Sequence, residues 1–270
     1  MKTLYVSDLD GTLLTREQCL SQRTLEILNG LIDKGMHFAY ATARSAVTAK
    51  KVTAGLAVQM PLVVYNGAFV LDGDSGEVLL QNYFPDNAAA ILEHLLKDQV
   101  YPMVYSMRDG RETMAFLPER TSRGLKTFLD SRRGDPRWME LDDPRELLKG
   151  DIFYILCVDE AERLLPLYKA YRDSFHCVYQ KDIYSGEQWL EILPGEATKA
   201  NAVRRLKDLL GCEKLVVFGD GKNDLDLFEI ADDCYAVSNA VDELKAIATD
   251  VIGSNEEDGV ALWLEANAAY

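Results

Sequence analysis

Short apolar runs alternate with amphipathic stretches along the first part of the chain. Leu4-Tyr5-Val6, Phe38-Ala39-Tyr40-Ala41 and Leu62-Val63-Val64-Tyr65 are continuous apolar runs, the pattern of strands covered on both faces. Between the first two, Leu25, Leu28, Leu31 and Ile32 recur at helical spacing over residues 24–34, which Gly35 ends, and a second helical stretch covers residues 46–54. This β-α-β-α-β order predicts a parallel sheet with helices packed on it. A hairpin follows, with residues 68–71 and 77–82 flanking Asp72-Gly73-Asp74-Ser75-Gly76.

The rhythm then changes. Helices at 87–98, 121–130 and 161–173 are interleaved with strands at 100–106, 112–117, 152–158, 175–180 and 188–192, an order that suits a separate α+β unit with mostly antiparallel strands. Residues 131–143, rich in charge and containing proline, read as a surface loop. The closing segment returns to the opening alternation, with helix 198–210 ended by Gly211, strand 215–218, helix 224–231, strand 235–237, helix 242–248 and strand 250–252. The two outer segments therefore predict one doubly wound sheet, built from residues 1–84 and 192–270 and interrupted by an inserted unit over 85–191.

Composition narrows the classes. A chain of 270 residues that is 48% hydrophobic is long enough to bury roughly 70–75% of its unfolded surface. Its formal net charge of −15 argues against nucleic acid as a partner, because neutralising phosphates takes a basic face. Five cysteines, an odd number without a C-x-x-C spacing, read as reduced thiols of a cytoplasmic protein. The N-terminus lacks the apolar core of a signal peptide, and no stretch is long enough to span a bilayer, so no membrane association is expected. Nothing in the pattern specifies an oligomeric state.

Candidate chemistry gathers where the predicted strands end. Asp8 and Asp10 follow the first strand, with Leu9 between them turned back into the fold and Gly11 permitting a sharp turn. Two close carboxylates repel, and the repulsion is relieved by a raised pKa or by a bound cation; both serve phosphoryl transfer. Thr42-Ala43-Arg44 follows the second strand, Gly219-Asp220-Gly221-Lys222-Asn223-Asp224 follows 215–218, and Lys199 opens a helix. In a doubly wound sheet that edge is where ligands bind. Each residue also has an ordinary reading: Thr42 as a helix N-cap, Lys199 as a solvated helix residue, Arg44 as half of a salt bridge, 220–224 as a turn. Their common placement favours a site.

Asp8-Leu9-Asp10-Gly11-Thr12, Thr42, Lys199 and Asp220-Gly221-Lys222-Asn223-Asp224 together resemble the four motifs of the haloacid dehalogenase superfamily. The insert between the second and third motifs, Asn66-Gly67-Ala68 and Asp258-Gly259-Val260 are similar to its Cof-type subgroup. The resemblance implies a Rossmann-like α/β core with an inserted α+β cap of class IIB type. It implies a Mg²⁺-dependent phosphatase that acts on a small phosphorylated metabolite, a sugar phosphate or phosphorylated cofactor, through an aspartyl-phosphate. Asp8 would be the nucleophile and Asp10 the acid and base. Asp8, Asp220 and the backbone carbonyl of Asp10 would bind the metal, with Asp224 either an additional ligand or a residue supporting the ligands from behind. Lys199, Thr42 and the backbone N–H groups after Asp8 would meet the phosphate, and Asn223 would orient either a phosphate oxygen or a metal-bound water. The second motif usually reads Thr-Gly-Arg, so Ala43 keeps that turn out of left-handed backbone space and bears on where Arg44 points, to substrate, cap or salt bridge. Cap residues Arg108, Arg111, Arg120, Arg123, Tyr184, Gln188 and Trp189 are candidates for substrate recognition, with solvated faces the simpler reading for most of the basic ones. Two other readings share the motifs: a phosphomannomutase-like phosphotransferase and a non-enzymatic phospho-acceptor or phosphate-binding regulator.

Overall fold

The computed structural model describes residues 2–57, 60–85, 88–181 and 186–269. They form two compact units, residues 1–81 with 197–270, and residues 82–196. The chain enters the first unit with β1 (Thr3–Ser7), α1 (Gln22–Asp33), β2 (His37–Tyr40), α2 (Ala46–Val52), β3 (Leu62–Val64), β4 (Phe69–Leu71) and β5 (Val78–Gln81). The second unit holds α3 (Ala88–Lys97), β6 (Met103–Arg108), β7 (Arg111–Phe116), α4 (Arg123–Asp130), β8 (Trp138–Glu140), β9 (Asp151–Val158), α5 (Ala161–Tyr171), β10 (His176–Lys181) and β11 (Gln188–Leu193). The chain returns with α6 (Lys199–Leu210), β12 (Lys214–Gly219), α7 (Leu225–Ile230), β13 (Asp233–Val237), α8 (Asp242–Lys245), β14 (Asp250–Ile252) and α9 (Gly259–Asn267).

The main sheet of the first unit has the order β14-β13-β12-β1-β2, and every pair in it is parallel. β1, flanked by β12 and β2, is buried along its whole length, as expected where both faces of a parallel sheet are covered. Register decides what the strands present. Ser7 lies beside both Phe218 and Tyr40, so β1, β2 and β12 end level and Asp8, Thr42 and Asp220 leave the sheet at one edge. Two ladder bonds continue just past the strand ends, Asp8 N–H to the Phe218 carbonyl and Ala41 N–H to the Ser7 carbonyl, both at 3.0 Å.

The third apolar run does not join this sheet as the β-α-β-α-β reading expects. β3 touches it through a single Ala41–Val63 bridge and otherwise pairs antiparallel with β4, in a three-stranded sheet of order β3-β4-β5. The reason is the turn that follows. Tyr65, Asn66 and Gly67 all have positive φ, at 51°, 50° and 98°, which folds the chain back after three strand residues. Tyr65 N–H then bonds the Arg44 carbonyl and Asn66 N–H the Thr42 carbonyl, each at 2.9 Å.

α9 is an addition to the elements read from sequence. Asp258 accepts hydrogen bonds from Ser21 at 2.5 Å and Thr24 at 2.9 Å, which ties the first turn of α1 to the start of α9. A Cβ on Gly259 would stand 2.0 Å from the Gly253 carbonyl oxygen. The Asp258-Gly259-Val260 signature thus ties α9 to the start of α1 and to the turn after β14.

In the second unit a six-stranded sheet has the order β10-β11-β9-β6-β7-β8, antiparallel except for β7 with β8. Ile91, Leu92 and Leu95 of α3 and Leu164 and Leu167 of α5 pack with Val104, Ile155, Leu190 and Ile192. Residues 131–143 are not a surface loop throughout, since β8 lies there. Arg137 is 6% exposed, bonded to Asp135 at 2.6 Å and Glu112 at 2.8 Å, and Trp138 meets Phe116 edge-on with ring centroids 4.8 Å apart. Paired charge lets a polar segment go inside, which hydropathy alone does not reveal. Arg137→Met is expected to destabilise this unit by about 3 kcal/mol, because Asp135 and Glu112 lose their counter-charge; denaturant unfolding measures it.

Of the cap residues singled out from sequence, Arg108 donates to Ser106 and the Glu146 carbonyl, and Arg120 donates to the Tyr101 hydroxyl. Arg111, Arg123 and Gln188 stand at the starts of β7, α4 and β11, and Trp189 packs on Phe128. Tyr184 lies outside the described residues.

Candidate active site

The strand-end edge of the first unit gathers three carboxylates around one ammonium. Asp8 Oδ1 lies 2.6 Å from Lys199 Nζ, and Asp224 Oδ1 lies 2.7 Å from the same nitrogen. Lys199 opens α6, whose N-cap Thr198 accepts from Asn201 N–H, and its side chain is 1% exposed. It is therefore no solvated helix lysine. Asp224 is fully buried and its second oxygen accepts the N–H groups of Asp220 at 3.1 Å and Gly221 at 3.0 Å. Asp220 accepts from the Thr12 hydroxyl at 2.9 Å.

Two glycines make room for these acids. A Cβ on Gly11, which has φ +78°, would stand 2.3 Å from Asp220 Oδ2, and one on Gly219 would stand 2.8 Å from Asp224 Oδ2. The carboxylates are packed directly on backbone. Similarly, a Cβ on Gly67 would meet the Thr198 carbonyl oxygen at 2.2 Å, so the left-handed turn after β3 lies against the N-terminus of the helix that carries Lys199.

Electrostatics follow from the count of charges. Three acids facing one lysine hold an excess of negative charge in a buried place. Burial, assisted by Asp224, Asp220 and Asp10 and opposed by Lys199, pushes Asp8 well above the usual carboxylate range. Burial and Asp224 push Asp220 up to about 7. Burial alone disfavours the Lys199 ammonium, but Asp224 and Asp8 outweigh it and hold the lysine charged. Carboxylate oxygens of Asp8, Asp220 and Asp224 lie within 4.8 Å of one another. An all-oxygen, acid-rich donor set fits a hard divalent cation such as Mg²⁺, and a cation offsets the burial and the mutual repulsion that raise these pKa values.

The burial of these acids, with their mutual repulsion, gives the metal-free protein a pH-dependent stability. Folded Asp220 holds its proton up to about pH 7, whereas an unfolded aspartate gives it up near 3.9. Between those values the folded state binds more protons, so stability falls as pH rises. Thermal unfolding in EDTA should show a melting temperature that declines from about pH 5 to about pH 7.5, and added Mg²⁺ should raise it most at the upper end.

The remaining predicted residues divide. Thr42 is buried and its hydroxyl accepts the Arg44 N–H at 3.1 Å. It is not a helix N-cap, because Ser45 caps α2. Ala43 stays out of left-handed space. Asp10 emerges beside Asp8 but its carboxylate is outside the trio: Arg44 grips it through Nε to Oδ2 at 2.7 Å and Nη2 to Oδ1 at 2.6 Å. Asn223 is half-buried in the turn at 222–224, and a Cβ on Gly221 would stand 2.6 Å from its Oδ1.

Sequence reasoning gave no part to Gln18, which accepts from Arg44 Nη2 at 2.8 Å, or to Asn239, which donates to the Gly11 carbonyl at 2.7 Å. Neither lies in a recognisable local pattern. Thr12 belongs to the first motif, and its hydroxyl directly after an Asp-x-Asp-Gly turn was the available signal.

A parallel α/β sheet with buried acids and a lysine at its carboxyl edge fits a protein that binds or transfers phosphoryl groups. The family model described as haloacid dehalogenase-like hydrolase matches residues 5–264. The chain belongs to that family, in its Cof-type branch, and is a phosphoric monoester hydrolase. It is 29% identical to the 5-amino-6-(5-phospho-D-ribitylamino)uracil phosphatase YwtE of Bacillus subtilis, across 98% of this chain and 97% of the relative. The crystal structure of TM0651 from Thermotoga maritima superposes with a TM-score of 0.81 at 26% identity, covering 100% of this chain and 99% of the other. The subclass IIB sugar phosphatase BT4131 shares the fold, with a TM-score of 0.78 at 17% identity and 98% of each chain covered. Among the described residues no helix is long and apolar enough to cross a membrane.

Proposed function

We propose that this chain is a Mg²⁺-dependent phosphatase for small phosphorylated metabolites, sugar phosphates or phosphorylated cofactors, working in the cytoplasm through an aspartyl-phosphate. The observation that carries the reading is Asp8 set 2.6 Å from a buried Lys199 inside a trio of acids. A phosphate ester repels nucleophiles through its own negative oxygens, so catalysis rests on charge cancellation and positioning. Asp8, Asp220, Asp224 and the Asp10 carbonyl would hold Mg²⁺, which when bound supplies positive charge beside the phosphoryl oxygens. Lys199 supplies a second positive charge there. Thr42, Asn223 and the N–H groups that follow Asp8 are placed in the same motifs to donate hydrogen bonds. Ala43 and Arg44 flank Thr42 and fix its turn.

The chemistry divides into two displacements. An Asp8 oxygen bonds to phosphorus as the ester P–O bond breaks, and the departing alcohol oxygen takes a proton from Asp10. Water then attacks phosphorus and passes a proton to Asp10 as the bond between Asp8 and phosphorus breaks, releasing phosphate. The test is phosphate release from a panel of sugar phosphates, nucleotides and phosphorylated cofactors, including the substrate named for the Bacillus relative, with Mg²⁺ and with EDTA. Release that needs Mg²⁺ is the expected result; no release from any ester, or sugar isomerisation without free phosphate, overturns the reading.

A further inference from the structure

Arg44 does something more specific than pair with a nearby acid. Its guanidinium meets Asp10 edge to edge, with one N–H on each carboxylate oxygen, and the second nitrogen of that edge also donates to Gln18. Such a fork fixes the plane of a carboxyl group as a point charge cannot. The guanidinium is itself anchored. Arg44 N–H is held by the Thr42 hydroxyl and the Arg44 carbonyl by Tyr65 N–H, so the backbone beneath the side chain is fixed from both sides. Gln18 sits in left-handed space at φ 56°, with its N–H on the Thr15 carbonyl. That conformation costs a non-glycine residue energy. It brings the amide oxygen onto Arg44.

We propose that Arg44, steadied by Gln18, is a positioning residue that sets the orientation of Asp10 for proton transfer to the leaving alcohol. The inference rests on the assignment of Asp10 as acid and base made above. The need for it is physical. Asp10 lies past the end of β1, in a turn two residues from Asp8, and the Arg44 fork sets the plane of its carboxyl group there. Each carboxyl oxygen has two lone-pair sites, and the fork takes one on each, which orients the group.

The experiment compares two esters. kcat/KM covers the steps up to departure of the alcohol. A nitrophenolate leaves without a proton, whereas an aliphatic alcohol requires one. With Mg²⁺ saturating, kcat/KM is measured for p-nitrophenyl phosphate and for the best aliphatic ester of the panel, in wild type, Arg44→Gln, Arg44→Lys and Gln18→Ala. Arg44→Gln should lower the aliphatic value by about 100-fold, within the range of general acid catalysis, and the nitrophenyl value by less than about 3-fold. Arg44→Lys should fall between, and Gln18→Ala should show the same leaving-group dependence at about 5-fold. Equal losses on the two esters, the signature of a structural or substrate-binding role, overturn the proposal, as does no loss on either. Melting temperatures are recorded in parallel, and if Arg44→Gln fails to fold, Gln18→Ala carries the comparison. A wild type inactive on every ester sinks the phosphatase reading itself, and this role with it, which is a different result from an active wild type with an indifferent variant.

Discussion

Asp8→Asn should abolish turnover while leaving the protein at least as stable as before. The amide keeps the shape of the side chain but has no anionic oxygen to attack phosphorus, so phosphate release is expected to drop by at least about 10⁴-fold. Stability should move the other way. Asp8 is buried among Asp224, Asp220 and Asp10, and burial is the largest force raising its pKa, so ionised Asp8 is a cost to the metal-free fold near neutral pH. Removing one negative charge from a nest of three acids and one lysine relieves part of that repulsion. The melting temperature in EDTA at about pH 7.5 should therefore hold or rise. Phosphate release and thermal unfolding on the same preparation check both halves. Turnover within about tenfold of wild type would remove Asp8 from the nucleophile's role.

Lys199→Met should fail in both respects. The lysine is the counter-charge for Asp8 and Asp224 at once, through contacts of 2.6 and 2.7 Å. Methionine fills similar volume without charge, so two buried carboxylates lose their partner. Breaking a buried ion pair from one side costs about 3–5 kcal/mol. In denaturant titrations the loss should be largest in EDTA and smaller with Mg²⁺, which can offset the same charges. Activity should fall by about 10²- to 10³-fold even with Mg²⁺, the scale set by removing a group aimed at developing charge. A Lys199→Met/Asp224→Asn double variant separates the two effects. It should recover part of the stability, since one unpaired acid has gone, and none of the activity. Recovery of both would mean that Lys199 acts on stability alone.

The cost carried by this acid nest is the physical complement of the cation and phosphate site proposed for it. A trio of carboxylates packed onto Gly11 and Gly219, with no Cβ between them, is a poor way to stabilise a fold and a good way to bind a cation and a phosphate ester together. The same excess charge accounts for the pH trend expected in EDTA, for the stability of Asp8→Asn and for the sensitivity of Lys199→Met. A structural salt-bridge cluster would instead show its greatest stability with every partner intact and no metal added.

Much was legible from the chain alone. The unbroken apolar runs at residues 4–6, 38–41 and 215–218 gave the buried parallel strands, because a strand covered on both faces has no polar side to show. The helical spacing of Leu25, Leu28, Leu31 and Ile32 gave α1, and the change of rhythm from about residue 85 gave a second unit of different build. Asp8, Asp10, Thr42, Lys199 and 220–224 could be placed at one edge because, in a parallel sheet, every strand's carboxyl end points the same way. What tertiary structure alone decided was each side chain's partner. Arg44 turned to Asp10 and Gln18, Lys199 went from a helix surface position to full burial between two acids, and Arg137 carried a charged segment inside. β3 left the main sheet because three left-handed residues folded it onto β4. Periodicity records which face of an element is apolar. It holds no record of a contact between residues far apart in the chain, and a buried charge is set by such a contact.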